Sequence, residues 1–202
     1  MQALLKFSNG VDGLNRFVGK YVIWLILAST VISAVNAVVR KAFNVGSNAF
    51  LEIQWYLFAA TFLLCAAYTL LNGEHVKIDV VYSRLYKRTQ TWVDVFGFTF
   101  FLLPFCAAII WFSVPFFLKG FYSGEVSANA GGLIRWPVYA LMPLGFGLLF
   151  LQGTSELIKR VAFLMGLIED PTEKVLAKTA EEELAEAIAK LAEEKAAKAH
   201  AA

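Results

Sequence analysis

Four long stretches with almost no charge constrain this chain more than any other feature of its sequence. Tyr21 to Val39 is nineteen residues without a charged side chain, Val95 to Leu118 is twenty-four, and Trp136 to Ser155 is twenty. Ala49 to Leu71 carries one carboxylate, Glu52, near its start. A helix rises about 1.5 Å per residue, so nineteen residues cover roughly 28 Å, close to the hydrocarbon thickness of a bilayer. Stretches of this length and purity exclude a water-soluble domain, whose charged fraction is about 25%, against 17% here with 58% apolar residues. The expected fold class is an all-α integral membrane protein with four transmembrane helices, spanning about 20–39, 49–71, 94–118 and 136–158.

Segments outside the spans complete the expected organisation. Leu4, Phe7, Val11, Leu14 and Val18 recur at steps of three and four, with Lys6, Asn9 and Asp12 off that face, which predicts an N-terminal interfacial amphipathic helix over 1–19. A cleaved signal peptide is not expected, because the first apolar run is too long for an h-region and ends in Arg40-Lys41. The membrane domain then covers 20–160. Val161 to Ile168 is too short to cross and reads as the emerging end of the fourth helix or an interfacial piece. Within 161–202, Asp170-Pro171-Thr172-Glu173 has the form of a helix start. An Ala/Glu/Lys stretch follows, giving a polar C-terminal helical tail. Its apolar seam of Leu184, Ile188 and Leu191 is too short for a stable coiled coil.

Orientation follows from the cations. Lys6, Arg16, Lys20, Lys77, Arg84, Lys87, Arg88, Lys159 and Arg160 flank the spans on one side, and Arg40, Lys41, Lys119 and Arg135 on the other. The positive-inside rule places the first group, and with it both termini and the second loop, in the cytoplasm. Such charge reports topology and gives no reason to expect nucleic-acid binding; the expected surroundings are membrane lipid.

Catalysis finds no candidate residues. Cys65 and Cys106 lie inside apolar runs and form no C-x-x-C pair, and the histidines, His75 and His200, lie outside the spans. Haem ligation and quinone-linked thiol chemistry are therefore not expected, and no cofactor or metal is. Glu52 is the single carboxylate within a span, and such a group is a functional candidate because burial in lipid costs about 2.5–3.5 kcal/mol at the bilayer centre. Its place near one end of its helix favours a structural role, pairing with Arg40, Lys41 or a partner protein. Pro104 and Pro115 predict a kinked third span, while Pro143, Gly145 and Gly147 mark either a break in the fourth or close packing of small residues.

Three stretches carry a resemblance when taken together: Leu51-Glu52-Ile53-Gln54-Trp55-Tyr56-Leu57-Phe58, Asn72-Gly73-Glu74-His75-Val76-Lys77-Ile78-Asp79, and Trp136-Pro137-x-Tyr139-x-x-x-Pro143-x-Gly145. In order and spacing they resemble the DctQ family, the small membrane subunit of tripartite ATP-independent periplasmic (TRAP) transporters, over roughly Arg16 to Arg160. The resemblance implies a scaffold subunit of a sodium-coupled importer of an organic acid in the bacterial inner membrane. Its partners would be a large multi-span membrane subunit, carrying the sodium and substrate sites, and a periplasmic substrate-binding protein. Candidate subunit-interface or packing residues are then Glu52, Gln54, Trp55, His75, Lys77, Asp79 and Arg84. The alternatives are a self-sufficient small homo-oligomeric carrier or channel using Glu52, and an anchoring protein unrelated to transport.

Overall fold

The computed structural model describes residues 1–44, 46–75, 85–169 and 188. The described helices are α1 (Gln2–Phe43), α2 (Asn48–Leu71), α3 (Lys87–Gly97), a π-helical turn at Phe98–Leu102, α4 (Leu103–Ser123) and α5 (Trp136–Leu164). With α3, the π turn and α4 running on as one length, Lys87–Ser123, four helices are long and apolar enough to cross a membrane. The all-helical, four-span class expected from the charge-free runs is the class found. The bundle is the first of two units, Met1–Ile168, the second being Glu169–Ala202. Apart from Ile188, the expected C-terminal helical tail lies outside the described residues.

The helices extend past the charge-free runs. No break separates residues 1–19 from the first span: α1 is a single helix of 42 residues, about 63 Å long, roughly twice the hydrocarbon thickness. Its stripe of apolar residues splits, with Leu4, Phe7 and Leu14 outward and Val11 buried. Asp12, off that stripe in the sequence, turns into the bundle with Ser8 and Asn15. α5 likewise continues through Val161 to Leu164, so the short run there is the end of the fourth helix.

α5 is the hub, touched by every other helix. Its Gly145 lets α2 approach closely, since a Cβ there would stand 2.7 Å from the Leu63 carbonyl oxygen. The helix runs unbroken through Pro143, and within the Pro143–Gly147 segment it is Gly145 that serves close packing. A core of Leu70, Cys106 and Leu149 joins α2, α4 and α5, with Ala66, Phe98, Leu102, Phe146 and Phe150 around it. Cys106 is fully buried there and Cys65 half-buried, both as free thiols. The π turn falls just before Pro104. A proline ring crowds the carbonyl four residues back, and one widened turn relieves that contact.

Candidate functional site

Two polar clusters sit at opposite ends of α5. Arg135, at the start of the helix, and Glu156 are 21 residues apart, about 32 Å, so the clusters bracket a section as thick as the hydrocarbon core.

At the first end, Glu52 is buried in the second turn of α2, 4% exposed. One carboxylate oxygen accepts hydrogen bonds from Ser127 Oγ and from Asn129 Nδ2 at 2.8 Å, and the other accepts the Leu133 backbone N–H at 2.7 Å. All three donors lie on the α4–α5 loop. That loop folds as a narrow hairpin, with Val126 bridging Ile134, Ser127 N–H donating to the Leu133 carbonyl at 2.9 Å and Arg135 N–H to that of Glu125 at 3.0 Å. Asn48 Nδ2 reaches the Ala130 carbonyl at 3.1 Å and Tyr56 Oη the Ile134 carbonyl at 3.2 Å. Glu125 accepts from Arg135 Nη1 at 3.1 Å and from Tyr139 Oη at 3.0 Å. The hydrogen bond to Tyr139 chiefly, with Glu125 beside it, holds the Arg135 guanidinium above its ordinary pKa. Glu52 thus takes its partners from loop donors, in place of the expected Arg40 or Lys41. The reason is helical geometry: a side chain at Glu52 points away from the α1 side of α2, toward the loop.

At the other end, α1, α3 and α5 meet through charges. Lys159 Nζ lies 2.6 Å from Asp12 Oδ2 and 2.8 Å from Glu156 Oε1. Arg160 donates from Nε to Asp94 Oδ2 at 2.9 Å and from Nη1 to Glu156 Oε2, and its guanidinium lies over the Phe98 ring, 4.6 Å from the centroid. Gln152 Nε2 donates to Asp12 Oδ1 at 3.0 Å and Glu156 Oε1 at 3.2 Å, while its own oxygen accepts from Asn15 Nδ2 at 2.7 Å. Ser155 Oγ adds a bond to Asp12 Oδ1 at 3.0 Å and pairs with Ser8 Oγ at 2.6 Å. Buried charges persist only when paired and hydrogen-bonded, and here each carboxylate has a cation and each cation at least two acceptors. The cluster ties the N-terminal half of α1 and the start of the third span to α5.

The sequence candidates scatter. Glu52 is in the loop clamp, Gln54 faces α1, Trp55 is 66% exposed on the outer surface and His75 is exposed beyond the end of α2. Lys77, Asp79 and Arg84 lie outside the described residues. The charge cluster of Asp12, Asp94, Glu156, Lys159 and Arg160 was not singled out by sequence reasoning. A signal for it exists: Ser8, Asp12 and Asn15, and Gln152, Ser155, Glu156 and Lys159, recur at helical spacing as polar stripes.

Much of the remaining surface is large and apolar, including Phe58, Phe62, Trp111 and Phe112, each more than two-thirds exposed. A surface of this kind faces lipid or another membrane protein. Against known proteins, the family described as DctQ: Tripartite ATP-independent periplasmic transporters, DctQ component, matches residues 29–163. No curated protein and no solved structure matches the chain.

Proposed function

The chain belongs to the DctQ family, a component of tripartite ATP-independent periplasmic transporters and not an enzyme family, and from that membership we propose that it is the small scaffold subunit of a sodium-coupled, binding-protein-dependent importer of an organic acid. On this reading a much larger membrane subunit carries the sodium and substrate sites, and a periplasmic binding protein delivers the substrate. The chain sits in the bacterial inner membrane with both termini and the second loop in the cytoplasm, as its cation distribution favours.

One observation carries the reading: among the described residues, the buried carboxylates are engaged by the chain's own groups. Glu52 is held by three loop donors, and Asp12 and Glu156 by Lys159, Arg160 and Gln152. An ion-coupled carrier builds its site near the midplane from free carboxylates or the broken ends of helices. In this chain α5 runs through Pro143 unbroken, and the charged clusters lie toward the two membrane faces. Struts at both faces suit a rigid body that stays still while a partner's transport domain moves, enlarging that partner's fixed frame. Glu52, Gln54, Trp55, His75, Lys77, Asp79 and Arg84 are proposed as packing or subunit-interface residues on this basis.

The test is reconstitution. The chain alone in liposomes should show no sodium-driven uptake of organic acids, and uptake should appear once the large subunit and binding protein are added. From solubilised membranes, a large multi-span protein should copurify in equal amount. Robust uptake by this chain alone, abolished by Glu52→Gln, would establish the small-carrier reading instead.

A further inference from the structure

We infer that the groove between the adjoining ends of α1 and α2 is a site for the phosphodiester headgroup of an anionic membrane phospholipid. The groove has a volume of about 440 Å³ and is lined by Ser33, Asn36, Arg40, Lys41 and Asn44 from α1 and its cap and by Gln54 from α2. Ser33, Asn36, Arg40 and Asn44 follow one another at steps of three and four, so they form a single polar stripe facing α2. With Lys41 beside it, this stripe offers two donor-only cations, while its amides and hydroxyl can donate as well as accept.

Two features separate the groove from ordinary basic residues at a helix end. Arg40 and Lys41 form no ion pair among the described residues. Gln54 lines the groove, and its buried Nε2 has no hydrogen-bond partner, a donor whose desolvation is left uncompensated until a small side-chain turn brings it to an acceptor in the groove. The neighbouring carboxylate cannot supply that acceptor, because Glu52 is two residues from Gln54 on the helix and its oxygens are taken by Ser127, Asn129 and Leu133. Two cations and an unmet amide donor on one groove suit an anion with several acceptor oxygens, and the planar guanidinium fits phosphate oxygens in pairs. Val31 and Val35, each more than half exposed, lie on α1 on the hydrocarbon side of Arg40, and offer acyl chains an apolar surface below the headgroup. The position at the end of the two spans matches the phosphate layer of a bilayer. This inference rests on the chain spanning a membrane and not on its assembly with other subunits.

Native mass spectrometry of the full chain in neutral detergent tests it, with phosphatidylglycerol and phosphatidylcholine of matched chains in competition. Phosphatidylglycerol should be retained preferentially. Arg40→Gln/Lys41→Gln should lower its retention on the order of tenfold, as expected for two cations at a membrane surface. Gln54→Leu should lower retention without altering charge, while Lys119→Gln, an exposed cation at the same end of the bundle, should leave it unchanged. Unaltered thermal melting of each variant separates loss of the site from loss of the fold, and Gln54→Leu supplies the readout if the double variant melts early. Equal retention by parent and Gln54→Leu, or an equal loss with Lys119→Gln, would overturn the proposal. Displacement of the lipid by millimolar inorganic phosphate would overturn the lipid as the source of the anion.

Discussion

Glu52 and Lys159 show how a charged side chain is kept inside a lipid-embedded bundle by two different means. Glu52 relies on neutral donors of one loop, so its neutral isostere would turn an amide N–H toward groups that also donate. Glu52→Gln should leave the helices intact and loosen the hairpin, read as faster hydrogen exchange at Ser127 and Leu133, whose amides the clamp orders; unchanged exchange there would show that the hairpin holds itself. Lys159 is a shared cation between Asp12 and Glu156. Removing one partner of a buried pair strands the other charge, so Lys159→Ala should lower stability by on the order of 3 kcal/mol. Adding Asp12→Asn should recover part of that loss in a double-mutant cycle measured by thermal melting in detergent. Additive losses would mean that the two side chains do not interact.

Among the elements, α5 has to be approached on several sides at once, and its small residues make that possible. At Gly145 the obstacle to any side chain is the Leu63 backbone, which cannot swing aside as a side chain would. Gly145→Val should therefore push α2 off α5 and cost more stability than Gly147→Val, since a Cβ at Gly147 would meet nothing within 4 Å. Equal melting temperatures for the two variants would contradict the close α2–α5 contact. α1 uses its length differently. Its C-terminal half carries the charge-free run, while its first five turns carry Ser8, Asp12 and Asn15 against α5, so the two parts of one helix meet different surroundings.

For the molecule as a whole, the two polar clusters at either end of α5 bracket a section as thick as the hydrocarbon core, and the proposed orientation rests on the cation bias. Cysteine labelling should find a residue placed near Arg84 accessible from the cytoplasm and one placed near Asn129 accessible from outside. A periplasmic signal near Arg84 would invert the orientation and the assignment of the loop clamp to the outer face. The large exposed aromatic surface leaves ample room for a partner, and Asp79→Ala, in the second loop, should reduce the yield of a copurified large subunit more than it changes substrate affinity. The opposite pattern would point to a direct part in transport.

Hydropathy alone was enough to identify this as a four-span helical membrane protein, because some twenty apolar residues in a row are unfavourable in water and match the thickness of a bilayer core, so each run could be judged locally. The three motif stretches likewise carried the family without any coordinates. Glu52 was visible as an anomaly for the same local reason, a carboxylate amid apolar neighbours. Its partners were not, since Ser127, Asn129 and Leu133 lie some 75 to 81 residues away and the cations Arg40 and Lys41 were nearer in the chain. Asp12, Asp94 and Arg160 lie outside the charge-free runs, where charge is ordinary. Only the packing of α1 and α3 against α5 removes them from water and makes them one cluster, because burial is a property of neighbouring helices and hydropathy is a property of a single one.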